Sequence, residues 1–269
     1  MDGALFSVIA GLQLASASLG TCELAPDQRP SALVDYHRLA TNCLSLPPWP
    51  LDFDADLESA FVLRINEERR KAGLTELRVR TQLIGPARFH SLDQTWNDKL
   101  SHDGSGGRSA ADRVGALDRK LVWDGLRENV GMVGSDNTAY GLVDRLHEAF
   151  MDSEYHRENI LSASSTHVAI GVVVGFDDWY VTQLFASVVG DLPKAVPVRA
   201  DRGWIAAQTP ALSDWSIVGF NLREGAVSLP IEIAPPGEGA LTLIGNRPFE
   251  DDEDYVYVIE LNGPLVEVQ

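Results

Sequence analysis

Leu57, Phe61 and Ile65 recur every four residues, with Arg64, Glu67, Glu68, Arg69 and Arg70 on the other faces and Gly73 as a stop. That spacing predicts an amphipathic helix. From about Gln82 to Asp98, Ile84, Ala87, Ser91 and Thr95 form a narrow face of small residues suited to close packing, and His90 lies in the same helical stretch. Gly104 to Gly107 predicts a flexible loop, and Ala110 to Leu117 a short helix carrying Asp112 and Arg113. Arg127-Glu128-Asn129-Val130 then leads into a Gly-rich turn at Gly131 and Gly134. Val143, Leu146 and Phe150 mark another helical face, expected to fray near Ser153 and to leave His156 at a helix-to-loop junction. The runs His167 to Val174 and Trp179 to Phe185 read as strands, joined through Gly175-Phe176-Asp177-Asp178 as a tight hairpin. Helices therefore come first and an antiparallel sheet follows.

Pro47-Pro48-Trp49-Pro50 and the acids after it break helices, and they separate an N-terminal segment (18–53) from a domain over 54–188. After Gly190 the pattern changes to short strands punctuated by proline, such as Trp215 to Leu222, Ala240 to Ile244 and Tyr255 to Leu261, with an acidic turn at Glu250 to Asp254. This is a β-rich C-terminal extension over 189–269, either packed on the main domain or presenting a strand edge to a protein partner. Ala4 to Gly20 is apolar and small, and Ala15-Ser16-Ala17 has the small-x-small form of a signal-peptidase site. Residues 1–17 thus read as a signal peptide and the protein as secreted or periplasmic, with no transmembrane anchor after signal removal. Met1-Asp2-Gly3 lacks the positive charge of such a leader, which leaves a core-facing N-terminal helix as the alternative. Cys22 and Cys43 are the only cysteines, and the loop between them is long enough for a disulfide to close.

With 269 residues, 45% of them hydrophobic, the chain can bury a substantial core. Its formal net charge of −17 argues against nucleic acid and anionic lipid as natural partners, because both would be repelled over a Debye length.

Three short elements carry the chemistry: Ser101-His102, Glu128-Asn129, and Tyr155-His156-Arg157-Glu158-Asn159-Ile160-Leu161. Each alone has a structural explanation. His102 can cap a helix end, His156 can bond within its loop, and Glu128 can pair with Arg157 or Arg127. Taken in order, with Asn66-Glu67-Glu68-Arg69 before them and Tyr180-Val181-Thr182-Gln183-Leu184-Phe185 after, they resemble the CAP superfamily of cysteine-rich secretory proteins, antigen 5 and pathogenesis-related 1. The likeness is to its cysteine-poor bacterial branch, and it runs from near Asp56 to near Ser187.

The resemblance implies an α+β fold, a three-layer α-β-α sandwich around an antiparallel sheet. It also implies a shallow cleft where His102, Glu128 and His156 converge. His102 and His156 are then the metal ligands for a weakly bound divalent cation such as zinc, and Glu128 orients one imidazole or a metal-bound water. Occupancy of that site should fall as pH drops through about 6 to 7, since the imidazoles must be neutral to bind. The chain departs from the family pattern in four places. Arg127 replaces a glycine, Phe150 a tryptophan and Tyr155 a second glycine, while Ser153 stands where eukaryotic members carry a second glutamate. Glu154 adjoins that position, but one step along a helix turns the side chain by about 100°. His90, His147 and His167 read as satisfied packing residues, and His37 carries no pattern.

These features favour a binding module for a small ligand, a lipid or a cell-envelope component over an enzyme, and no catalytic residue is assigned. The rival readings are a metal-assisted hydrolase with Glu128 as candidate general base, and an interaction module acting through the C-terminal extension.

Overall fold

Asp54 begins the first long helix of the domain by accepting the Leu57 N–H at 3.0 Å, and Arg69, Arg70 and Lys71 sit in its last turn, where the helix dipole favours cations. The computed structural model describes Cys22, Leu24 and residues 31–269, apart from 135–138, 176–177, 209, 211, 213–214 and 249–255. In chain order the described elements begin with α1 (Leu33–Ser45), β1 (Asp52–Phe53), α2 (Ala55–Lys71), β2 (Arg78–Val79), α3 (Thr81–Asn97) and α4 (Ala110–Leu117). The domain continues with β3 (Leu121–Gly134), α5 (Ala139–Asp152), α6 (Glu154–Ile160), β4 (His167–Val174) and β5 (Asp178–Asp191). The C-terminal residues form β6 (Arg199–Ala200), α7 (Arg202–Ala206), β7 (Ser216–Glu224), β8 (Val227–Pro230), β9 (Gly237–Pro248) and β10 (Val256–Val268).

One sheet runs in the order β1-β4-β5-β3-β10-β9-β7-β8, with β2 on β4 and β6 on β10 as the parallel pairs. Alternation along β4 explains the layers, since successive side chains leave opposite faces. Val168, Ile170 and Val172 pack with Leu57, Phe61 and Ile65 of α2 and Leu146 and Phe150 of α5. On the other face Ala169 packs with Leu83 and Ala87 of α3 and Val114 of α4, and Val173 joins the core of α1. The result is the expected α+β three-layer arrangement.

The C-terminal strands continue this sheet, with Asn262 of β10 opposite Trp123 of β3. Leu265 shares a core with Leu33, Tyr36, Phe89 and Ala116. Gly115 permits that approach, because a Cβ there would stand 3.0 Å from the Leu265 nitrogen. Glu238 of β9 accepts the Leu33 N–H at 2.8 Å and pairs with Arg108 at 2.8 Å. The disulfide Cys22–Cys43 ties the N-terminal segment to α1. N-terminal helix, central domain and C-terminal strands are therefore packed together.

Two local expectations need correction. Glu128 and Asn129 lie inside β3 rather than ahead of a turn, and Gly131 is a strand residue lying beneath Phe150 and Leu146. A Cβ at Gly131 would come within 2.7 Å of the Phe150 ring, so close packing rather than a turn explains the glycine. His156 is not at a helix-to-loop junction but in the first turn of α6, because extended backbone at Ser153 ends α5 and starts a new helix. Residues 1–17, read above as a signal peptide, residues 250–254, expected as an acidic turn, and residues 176–177 of the expected hairpin connection lie outside the described residues.

Candidate functional site

The loop carrying His102 is tied down from two sides. Asp98, at φ 45°, ends α3 and turns the chain back on it. Gln94 accepts the Ser101 N–H at 3.2 Å, and His90 donates from Nε2 to the Ser101 carbonyl at 2.8 Å. From α4, Arg113 donates to the carbonyls of His102 at 2.8 Å and Arg108 at 2.7 Å. Its other Nη donates to Glu128 Oε2.

Glu128 and Arg113 form a buried ion pair, with side chains 5% and 2% exposed. The second Glu128 oxygen meets His102 Nδ1 at 2.9 Å, and His90 Nε2 lies 4.0 Å from that same oxygen. The His102 side chain is 61% exposed, so its ring spans from a buried carboxylate to the surface. Burial pushes the Glu128 pKa up, but the hydrogen bond with His102 and the charge of Arg113 outweigh it and hold the carboxyl below its usual range. The hydrogen bond to Glu128 raises the His102 pKa against partial burial. His90 is driven the other way, to about 3, by burial and then by the Arg113 charge. It is neutral, and with Nε2 donating, Nδ1 is a bare buried acceptor.

His156 reaches this neighbourhood through α6. Asn129, next to Glu128, donates to the His156 carbonyl at 3.2 Å. Asn159 donates to Asn129 Oδ1 at 2.8 Å and to the Glu128 carbonyl at 3.1 Å. The buried Arg69 holds the end of α6 by donating to the carbonyls of Ile160 at 2.8 Å and Ser162 at 2.9 Å. The His156 ring lies 5.0 Å from that of Phe150. Burial lowers its pKa, and the charge of His102 lowers it further. One imidazole of the pair thus favours the cation and the other the neutral form.

Sequence reasoning missed Arg113 and His90. Arg157 and Arg127, the expected partners of Glu128, bond instead to the Met151 carbonyl at 2.6 Å and Ser162 Oγ at 3.1 Å. A lone arginine in a short helix carries no signal of its partner, and His90 is marked only by its place in the most buried helix. Nor is every other histidine satisfied, since both ring nitrogens of His147 are buried without a hydrogen-bond partner. His167 bonds Thr166 Oγ1 at 2.9 Å, and His37 donates to the Ala116 carbonyl at 2.8 Å. Glu154 is exposed in the first turn of α6.

Among the described residues no three His, Cys, Asp or Glu side chains cluster as a metal site. Both Glu128 oxygens are engaged, which leaves the two imidazoles as the donors toward a cation.

The coupling of His102 to Glu128 has a measurable consequence. In Glu128→Gln the His102 pKa should fall toward the ordinary imidazole value, read by NMR titration of its ring protons. An unchanged midpoint would show that the carboxylate does not control the ring. The same pair bounds stability with pH. The raised His102 pKa contributes stability that is fully present below the unfolded value and is lost as pH rises through the folded one. The depressed Glu128 pKa contributes stability present above its unfolded value and lost as pH falls through the folded one. Both contributions therefore coexist from weakly acidic pH up to the His102 midpoint.

The model of the cysteine-rich secretory protein family, CAP, matches residues 62–186. These residues are a CAP domain. The matched span holds His102, Glu128 and His156, whereas α1 and the strands after β5 lie outside it. Solved structures similar to this chain include an outer surface protein from Borrelia burgdorferi, 17% identical, covering 51% of this chain and 98% of that one with a TM-score of 0.43. Another is an extracellular protein containing an SCP domain from Bacillus anthracis, 24% identical over 49% of this chain and 40% of that one, TM-score 0.41. A cysteine-rich secretory protein from Staphylococcus aureus is 20% identical over 49% of this chain and 38% of that one, TM-score 0.36. No curated protein matches the chain. Among the described residues, no helix is long and apolar enough to cross a membrane.

Proposed function

We propose that the CAP domain is an exported binding module whose His102–His156 face takes a small ligand, a lipid headgroup or a cell-envelope component bearing a hydrogen-bond acceptor such as phosphate. The observation that carries this is the exposed His102 ring held by a buried, neutralised carboxylate. With Nδ1 directed to Glu128, Nε2 on the far side of the ring remains for a ligand, and the raised pKa makes it a charged donor in weakly acidic solution. NMR titration with inorganic phosphate and with phosphocholine checks this reading. The His102 and His156 ring signals should move together, and the shifts should vanish in His102→Ala. If neither probe moves either ring, the reading fails.

Zinc is a second occupant that the donor set supports, but weakly, because two imidazoles leave the remaining positions to water. His102 would bind through Nε2 with Glu128 fixing its tautomer, and His156 would supply the second nitrogen. Calorimetry should show affinity falling as pH drops and lost in the doubly substituted His102→Ala/His156→Ala. Equal binding by that variant would remove zinc from the account. The hydrolase reading is less well supported, since a carboxylate bonded at both oxygens and held below its usual pKa is a poor general base. Glu128 is better suited to positioning His102.

A further inference from the structure

A pocket of about 350 Å³ opens beside β8, the last strand of the sheet. It is separate from the His102–His156 face and does not depend on the function proposed for it. Alternation along β7 sorts the side chains around it, since Leu222 and Glu224 leave one face of the strand and Arg223 leaves the other. A two-residue turn, with Gly225 at φ 58°, sets Val227 of β8 opposite Glu224 and Leu229 opposite Leu222, so these four side chains share one face. The chain after β8 folds back to supply the remaining wall. Ile231 donates to the Phe220 carbonyl at 2.9 Å and Ala234 to the Pro230 carbonyl at 3.0 Å. Arg202 of α7 donates to the Ala234 carbonyl at 2.9 Å and fixes that wall in place.

The pocket is apolar below and charged at its mouth. Leu222 and Ala234 are 6% and 1% exposed and belong to the core around Phe220 and Leu241, whereas Val227 is 58% exposed and Glu224 lies open to solvent. Glu224 is the one ionisable group in the lining, and its carboxylate has neither a hydrogen bond nor an ion pair among the described residues. None of the lining residues is aromatic, so the cage that selects quaternary ammonium groups is missing. A cation that donates hydrogen bonds to the carboxylate is the better match. The chain's net charge of −17 also favours the approach of a cation over that of an anion.

The order of the groups decides how such a ligand enters. A lysine side chain of a protein partner would go in ammonium first and carry its charge down among Leu222, Leu229 and Ala234, where desolvation opposes it. A free amine can go in tail first and leave its charge at the mouth. We infer that this pocket binds a small primary alkylammonium, with its aliphatic tail against Leu222, Leu229 and Ala234 and its ammonium on Glu224. The volume, at the lower end of small-molecule sites, suits a short chain.

The test uses the full chain, with n-pentylammonium chloride as the probe and methyl NMR as the readout. The methyl signals of Leu222, Val227 and Leu229 should shift saturably. Methylammonium, which keeps the charge without the tail, should leave them in place. n-Pentanol, which keeps the tail without the charge, should bind about threefold to fivefold more weakly, the margin of an ion pair near the protein surface. Glu224→Gln should lower pentylammonium to the affinity of pentanol and leave pentanol unaffected. Glu224 is exposed, so the fold does not rest on it, and circular dichroism checks that the variant is folded. Nα-acetyl-lysine methylamide should bind more weakly than pentylammonium. Absence of saturable shifts at these methyls would overturn the inference, as would equal affinity for pentanol or undiminished binding by Glu224→Gln. Tighter binding of the lysine derivative would also overturn it, because the pocket would then belong to a partner's side chain.

Discussion

Arg113→Met is expected to destabilise the protein by about 3–5 kcal/mol, the loss typical of removing one partner from a buried ion pair. The guanidinium is the countercharge of Glu128 and also serves the carbonyls of His102 and Arg108. Without it the burial that pushes the Glu128 pKa up is opposed by His102 with little help, so the carboxylate should take up a proton nearer neutral pH. Chemical denaturation measures the stability and its pH dependence. Adding Glu128→Gln to Arg113→Met should restore much of the loss, because no buried charge then remains uncompensated. A single variant as stable as wild type would mean that the pair is not buried as described.

Gly171→Ala should cost about 3 kcal/mol or more, at or beyond the upper end of ordinary overpacking. A Cβ at this position of β4 would stand 2.3 Å from the backbone of Ala87 and Arg88. Backbone atoms cannot swing aside as a flexible side chain does, so α3 must lift from the sheet. Ser91, which donates to the Gly171 carbonyl at 2.8 Å, would lose that contact. Because α3 also carries His90 and Gln94, which hold Ser101, the disturbance should reach His102 and bring its titration closer to that of a free imidazole. Thermal unfolding and the His102 NMR titration together check this, and a stable variant with an unaltered His102 would contradict the close approach.

Much of the fold was legible because periodicity survives burial. The four-residue recurrence of Leu57, Phe61 and Ile65 and the β-rich run from His167 to Val174 matched α2 and β4 closely. Where expectation failed, a local signal had more than one cause. Gly131 suggests a turn when read along the chain, yet it is a strand residue made glycine by the ring of Phe150 above it. Ser153 was legible as the end of a helix but not as the start of another. The C-terminal strands were recognisable as strands, whereas their place in the same sheet depends on β10 meeting β3 across more than a hundred intervening residues, a pairing that no short-range pattern encodes.

The amino-acid order by itself determined several helices and strands, among them α2, α5, β4 and the extended character of the C-terminal residues, together with the likeness to CAP proteins and the choice of His102, Glu128 and His156 as the residues to watch. Only the tertiary structure decided that Arg113 neutralises Glu128, that His90 stays neutral beneath the His102 loop, and that Glu224 stands at an apolar pocket beside β8. The physical reason is the range of the forces. Hydrophobic periodicity acts over a few residues and is written along the chain, but ion pairing, desolvation and cavity shape depend on neighbours that folding brings together from distant positions.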